Sequence, residues 1–416
     1  MPVGALTCEN LDPSAWRVRS RRMAAGRIEV ETVAYPLVFT EQAAFKDTYG
    51  GVEGVVVCES YLMRPAGVPS DTVIVFMHPV GAGAYLPMVR ALARRGHHVI
   101  YCNSRYRSDS ALIMEKVLLD LGACVRDARE RLGYDHVVLG GWSGGGALSL
   151  YYQEQAERPT VTATPAGDGP DLTAAGLLPA DAVLLLASHH SRHSVLASCI
   201  DPAIRDESDP DDRDPALDLY GPDAPQPPYD RDWLATYRAA QLERDRRITA
   251  WVQERIAALR AAGRPHDERG FVVHGTMADP AVLDGTIDPN GRTVGESFLG
   301  DPRVVNNGPI GLARFTSLRS WLSQWSSEEA LGDGLRAAGA ITVPALVVSN
   351  GADNVCLPSM ARATYDAIAH DDKALHVVDG ATHYYIGEDQ RPKLAEAVEV
   401  CTSWLADHAL AGSAIA

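Results

Sequence analysis

Ser143 stands among glycines in Gly141-Trp142-Ser143-Gly144-Gly145, directly after the apolar run 136–139 and just before a breaker-free stretch at 147–155. This is the G-x-S-x-G pattern at a strand-to-helix turn, where glycines two before and two after the serine remove Cβ atoms that would clash. Such a turn holds Oγ in the open above a sheet, beside a helix N-terminus whose free N–H groups favour developing negative charge. A plain glycine turn is the alternative, and the turn alone does not choose between them. A serine hydroxyl becomes an effective nucleophile only when a positioned base takes its proton and a carboxylate orients that base. Both residue types stand in loops after later strands. The run 343–349 leads into Asn350-Gly351-Ala352-Asp353, and the run 374–378 into Asp379-Gly380-Ala381-Thr382-His383. The order Ser143, Asp353, His383 is that of an elbow nucleophile followed by its acid and its histidine. Asp379 could also be proposed as the acid, but it reads more easily as a turn residue before Gly380.

The elements that would position these residues are legible as apolar runs. Extended segments are expected at 27–35 and 54–62, and a buried strand at 72–78, whose nearly continuous apolar run suits a parallel strand covered on both faces. Helix is expected at 86–95, strand at 97–102, a long helix at 112–132, strand at 136–139, helix from 147 and strand at 182–187. The alternation resumes with strand 343–349, helix 359–368, strand 374–378 and a closing helix at 392–408. Strand and helix in alternation imply right-handed crossovers and a parallel sheet covered on both sides.

Between them the alternation is missing. The chain is therefore divided into a core at 1–188, a cap or lid insertion at 189–340, and the return of the core at 341–416. The insertion holds an Asp- and Pro-rich loop at 206–230 and a helix from Trp233 to about Ala262 with Ile248, Trp251, Val252, Ile256 and Leu259 on one stripe. An insertion at this point is expected to lie over the C-terminal edge of the sheet, where open α/β folds bind ligands.

Taken together, "GGWSGGG", "NGADNVCLP" and "DGATHYY" resemble the nucleophile, acid and histidine loops of the α/β-hydrolase superfamily. The resemblance covers 1–188 and 341–416 and does not extend to the cap. It implies an α/β-hydrolase fold, a mostly parallel central sheet flanked by helices with a largely helical cap. It implies Ser143, Asp353 and His383 as a catalytic triad, and an oxyanion hole formed by the N–H groups of Gly144 and Val80. Pro79 departs from the glycine many relatives carry there and has no N–H to give. His78 is expected to brace that loop. The activity implied is a serine hydrolase that cleaves a carboxylic ester or lactone of a bulky, largely apolar small molecule through an acyl-enzyme, with neither cofactor nor metal. Thioesters, amides and C–C bonds are alternatives on the same triad, and a non-catalytic ligand-binding member of the fold is one of another class.

The remaining features narrow the field. Over 416 residues the chain carries 38 basic and 54 acidic side chains, a net charge of −16, which argues against nucleic acid and anionic membrane surfaces as partners. No long apolar stretch opens the sequence, so a cytoplasmic protein is expected; a homodimer is left open. Seven cysteines at 8, 58, 102, 124, 199, 356 and 401, without C-x-x-C spacing, read as reduced and mostly buried. Cys356 lies near Asp353 but carries no motif of a thiol nucleophile. His189, His190 and His193 lack a completing carboxylate or cysteine for a metal and read as a hinge near the pocket. The acidic run 206–214 lacks the glycine and glutamate of a calcium loop and reads as solvated surface. Trp142, Trp321 and Trp325 are candidates for the border of an apolar substrate pocket, with core packing as the alternative for each.

Overall fold

The computed structural model describes residues 17–18, 28–42, 46, 48–49, 54–81 and 83–412. The expectations concerning the first 16 residues, Cys8 and Arg27 lie outside them. In chain order the first half gives β1 (Arg17–Val18), β2 (Val30–Thr40), β3 (Val55–Pro65), β4 (Thr72–Phe76), α1 (Pro87–Arg95), β5 (His98–Cys102), α2 (Met114–Glu130), β6 (His136–Ser143), α3 (Gly144–Glu157) and β7 (Ala182–Ser188). The insertion follows, with α4 (Arg192–Cys199), β8 (Ile204–Asp206), β9 (Asp209–Arg213), α5 (Arg231–Ala261), β10 (Gly270–Val272), α6 (Pro302–Asn307), β11 (Phe315–Ser317), α7 (Leu318–Gln324) and α8 (Gly334–Ala338). The chain closes with β12 (Ala345–Asn350), α9 (Pro358–Ala367), β13 (Lys373–Val378) and α10 (Gln390–Asp407).

One nine-stranded sheet runs in the order β1-β2-β3-β5-β4-β6-β7-β12-β13. The pairs β1/β2, β2/β3 and β3/β5 are antiparallel, and every pair from β5 to β13 is parallel. Side chains alternate across the central strands because successive residues point to opposite faces. Val73 and Val75 of β4 enter the layer built from α2, α3, α8 and α9, while Ile74 and Phe76 enter the layer of α1 and α10. Burial on both faces is why β4, β5 and β7 read as unbroken apolar runs.

Two boundaries near Ser143 differ from expectation. β6 continues to Ser143 and α3 starts at Gly144, three residues before the expected helix. The glycines here serve close packing rather than breaking the helix: a Cβ on Gly145 would stand 2.5 Å from the Met77 carbonyl oxygen.

The insertion has a core of its own. Ile248, Val252 and Ile256 of α5 pack with Trp321 and Trp325, whose rings stack at 5.1 Å and 8°. Trp321 donates through Nε1 to Thr249 Oγ1 (2.9 Å), and both tryptophans have no exposed surface. They are thus core residues of the insertion, and the expectation that they border the substrate pocket is corrected: the apolar stripe of α5 needs large rings to cover it. Trp251, expected on that stripe, is instead 39% exposed and meets Phe271 edge-on. The acidic run 206–214, read as solvated surface, is mostly exposed and forms the β8–β9 hairpin, which buried Arg244 of α5 ties down through Glu207 (2.6 Å).

Insertion and core meet at a buried carboxyl group. Glu115, at the start of α2, accepts from Ser323 Oγ of α7 (2.8 Å) and from Tyr151 of α3 (3.3 Å). Ser320 Oγ of the same α7 donates to the Leu112 carbonyl (2.8 Å). Burial raises the Glu115 pKa to about 7. Among the described residues no helix is long and apolar enough to cross a membrane.

Two stability effects are expected. Trp321→Ala should cost about 3–5 kcal/mol, read as a lower unfolding temperature, because a large ring leaves a cavity in a sealed cluster. Glu115 has a folded pKa above its unfolded value, so its stabilisation, present below about pH 4.5, is lost as pH rises through 7. The difference in unfolding free energy between wild type and Glu115→Gln should therefore move against wild type by on the order of 3 kcal/mol between pH 5 and pH 9. A pH-independent difference would contradict this.

Candidate active site

The β6–α3 junction holds Ser143 at φ 51° and ψ −121°. A non-glycine residue rarely adopts this conformation, at a cost of about 1–3 kcal/mol, and the surrounding packing must hold it there. Gly144 occupies the first turn of α3, so its N–H is one of the helix-start donors without an intrahelical acceptor.

Asp353 lies just after β12 and is fully buried. Its Oδ1 accepts the N–H groups of Val355 (2.7 Å) and Cys356 (2.9 Å), and its Oδ2 faces His383 Nδ1 at 2.8 Å. Three donors thus satisfy a charge that burial alone would penalise. His383 is also buried, with its ring 5.6 Å from Trp142 and 4.6 Å from Tyr384. Its Nε2 has no hydrogen-bond partner, so the contact to Ser143 Oγ is not closed here; such contacts are often long before substrate binds. Asp379 is exposed on the turn, and Asp353 is the carboxylate that meets His383.

The acid and histidine loops are stitched together. The Asn350 side chain donates to the Thr382 carbonyl (2.9 Å) and accepts from Tyr385 Oη (2.7 Å), and Ala352 N–H donates to the Ala381 carbonyl (2.8 Å). The insertion reaches the same loop: Asn290 Nδ2 donates to the Asp353 carbonyl (2.7 Å) and Gly291 N–H to the Gly351 carbonyl (3.0 Å). Arg292 stiffens that segment by donating to the carbonyls of Ala281, Asp284, Ile287 and Asp288. Asn290, Asn350 and Tyr385 were not expected from the sequence; each acts through a contact distant along the chain and carries no local motif.

The loop after β4 corrects one expectation. Val80 N–H, anticipated as an oxyanion donor, is turned toward His78 Nδ1 (3.2 Å), which also lies 2.8 Å from the Val80 carbonyl. Gly81 N–H goes to the Tyr106 carbonyl (3.3 Å), and Ser104 Oγ donates to the Pro79 carbonyl (2.6 Å). Pro79 fixes φ near about −65° and offers no donor, so the loop folds back over its own histidine. Of the two anticipated donors, Gly144 alone remains at a helix start.

Two further imidazoles crowd Gly144, next to Ser143. A Cβ on Gly144 would stand 2.8 Å from His78 Nε2 and 3.2 Å from His189 Nε2. Burial pushes His78 down to about 4 and His189 well below its ordinary value, so both are neutral at pH 7. His189 therefore lines the site itself, whereas the His190 ring lies 3.2 Å from Ser194 Oγ. Trp142 is buried in the layer of α1 and α10, with its ring against His383 and 6.0 Å from Tyr385. It supports the histidine from beneath, which corrects its reading as pocket border.

A mostly parallel sheet flanked by helices, with a strained serine at the junction of β6 and α3, is the architecture of an α/β-hydrolase fold. A family profile described as serine aminopeptidase, S33, matches residues 325–390. Among solved structures the chain is similar to the esterase domain of a Rhodothermus marinus protein, at 13% identity over 91% of this chain and 98% of that one, TM-score 0.43. It is similar to Est1E from Butyrivibrio proteoclasticus at 12% identity over 88% and 100%, TM-score 0.44. It is also similar to brefeldin A esterase, a bacterial homologue of human hormone-sensitive lipase, at 15% identity over 95% and 81%, TM-score 0.45. No curated protein sequence matches the chain.

If Asp353 orients the base, Asp353→Asn should lower turnover of any ester substrate by about 10³–10⁴, while Asp379→Asn stays within a few-fold of wild type. Steady-state kinetics on both variants checks this, and the reverse pattern would move the acid to Asp379.

Proposed function

We propose that the protein is a serine hydrolase that cleaves a carboxylic ester or lactone of a bulky, largely apolar small molecule through an acyl-enzyme. The observation that carries this reading is the sealed Asp353–His383 pair at 2.8 Å beside the strained Ser143. His383, with Nδ1–H held by Asp353, takes the Ser143 proton at Nε2 as Oγ attacks the carbonyl carbon. The Gly144 N–H then holds the oxyanion. Such a donor is worth about 2.7–4 kcal/mol in the transition state. His383 next protonates the leaving alcohol and afterwards activates the water that frees the acid. The preference for an ester or lactone over a thioester, amide or C–C bond follows the family analogy and the size of the insertion. Neutral His78 and His189 suit this chemistry, since cations there would raise the cost of charging His383.

The test is hydrolysis of p-nitrophenyl esters from acetate to decanoate, with a lactone and an acyl thioester alongside, by wild type and Ser143→Ala. Turnover that vanishes in the variant is expected, with an optimum at longer acyl chains. Folded wild type that turns over no member, and releases a tightly bound ligand unchanged, would instead make it a binding protein.

A further inference from the structure

β7 ends in a bulge. Along β6 and β7, Trp142 pairs with Leu186 but Ser143 with Ser188, so Ala187 is left over, and its backbone takes φ 43°. An extra residue of this kind re-aims the side chains after it, and a non-glycine residue holds a left-handed φ only where its surroundings impose it. The fit around the bulge is close: a Cβ on Gly146 would stand 2.3 Å from Ser188 Cβ. The side chain delivered is that of His189, whose Nε2 lies 3.2 Å from the place a Cβ on Gly144 would take. That place is about 2.5 Å from the Gly144 nitrogen, so Nε2 and the Gly144 N–H are at most about 5.7 Å apart. One oxygen about 2.9 Å from each can accept from both.

The proton on the ring can be placed. His189 is 7% exposed, and its Nδ1 is sealed with no hydrogen-bond partner. Burial keeps the imidazole neutral, so it carries one N–H, and a proton on Nδ1 would have no acceptor. The proton therefore belongs on Nε2, the nitrogen beside Gly144. His78 Nε2 is nearer the same point, at 2.8 Å, but its Nδ1 stands 2.8 Å from the Val80 carbonyl, a contact that puts its proton on Nδ1 and leaves Nε2 a lone pair. The start of the loop after β4 gives no donor either: Pro79 has no N–H, Val80 N–H faces His78, and Gly81 N–H goes to the Tyr106 carbonyl. We propose that His189, through Nε2–H, is the second oxyanion donor beside the Gly144 N–H, in the place anticipated for Val80. The proposal rests on the serine hydrolase reading. As Ser143 Oγ bonds to the carbonyl carbon, the C=O π pair moves onto the oxygen, where both donors meet it. When the pair returns, the C–O bond to the alcohol breaks, the alcohol takes its proton from His383, and His189 keeps its own proton throughout.

Three forms of the full chain are compared on one p-nitrophenyl ester: wild type, His189→Leu, which removes the donor, and His189→Gln, whose amide still donates from about the same position. Each is checked for folding by thermal circular dichroism. His189→Leu should lose about 10²–10³ in kcat with KM within about threefold, and His189→Gln should recover at least about tenfold of that loss. A trifluoromethyl ketone of the same acyl chain, which Ser143 would convert to an anionic hemiketal, should bind His189→Leu more weakly by a similar factor. The matching alcohol forms no oxyanion and should bind all three forms alike. A folded His189→Leu with kcat within about threefold of wild type overturns the donor. So does an equal loss in both variants, or an equal weakening of ketone and alcohol, either of which marks a purely structural ring. Should both variants unfold, wild type carrying nitrogen-15-labelled histidine decides: an imidazole N–H besides those of His383 should move downfield when the ketone binds, and its absence overturns the donor. Wild type that turns over no ester and binds no ketone overturns the hydrolase reading and the donor with it, whereas an active wild type with an unimpaired His189→Leu overturns the donor alone.

Discussion

A carboxylate with no access to water must be satisfied where it stands, and the site is arranged around that requirement at Asp353. Two backbone N–H groups of its own loop and one imidazole meet its two oxygens. Leaving such a charge unpartnered would cost several kcal/mol, enough to unfold a marginal structure, so the loops are committed to this geometry before any substrate arrives. The commitment runs outward. Parallel pairing of β12 and β13 brings the two loop-bearing strand ends side by side, and Asn350 and Tyr385 then fix one loop to the other.

Ser143 depends on packing of another kind. Ser143 is held in an unfavourable conformation because β6 and α3 cross with almost no space between them, and Gly145 lets the Met77 carbonyl approach. At Gly144 the missing side chain is replaced by two imidazoles from distant segments, each neutral through burial. Rigid apolar layers on both faces of the sheet thus converge on a small polar centre whose members are fixed from several directions.

Much of this was legible in the sequence for a physical reason. Strands buried on both faces must be apolar throughout, so β4, β5, β7 and β12 announce themselves, and loops between such runs are where Ser143, Asp353 and His383 fall. What was not legible depends on contacts between distant segments. An apolar tryptophan reads alike whether it faces a pocket or a core, and only the folded α5 and α7 place Trp321 and Trp325 against each other. The turn of Val80 toward His78 depends on how Pro79 directs the loop, and the approach of His189 to Gly144 on where β7 ends. Asn290 had no signal at all, since its partner is a main-chain carbonyl 63 residues away.

The hydrogen bond from Asn290 to the Asp353 carbonyl carries a consequence for descent with modification. Insertions of this kind are the part of a fold most free to vary, yet here the segment carrying Asn290, Gly291 and Arg292 is fastened to the backbone of Asp353, which meets His383. A lineage that reshapes this segment to suit a new molecule also disturbs the residue that orients the histidine. In a hydrolase of the proposed kind, selectivity and speed would then be inherited as linked traits, and exchanging this insertion for a foreign one would have to carry the asparagine with it.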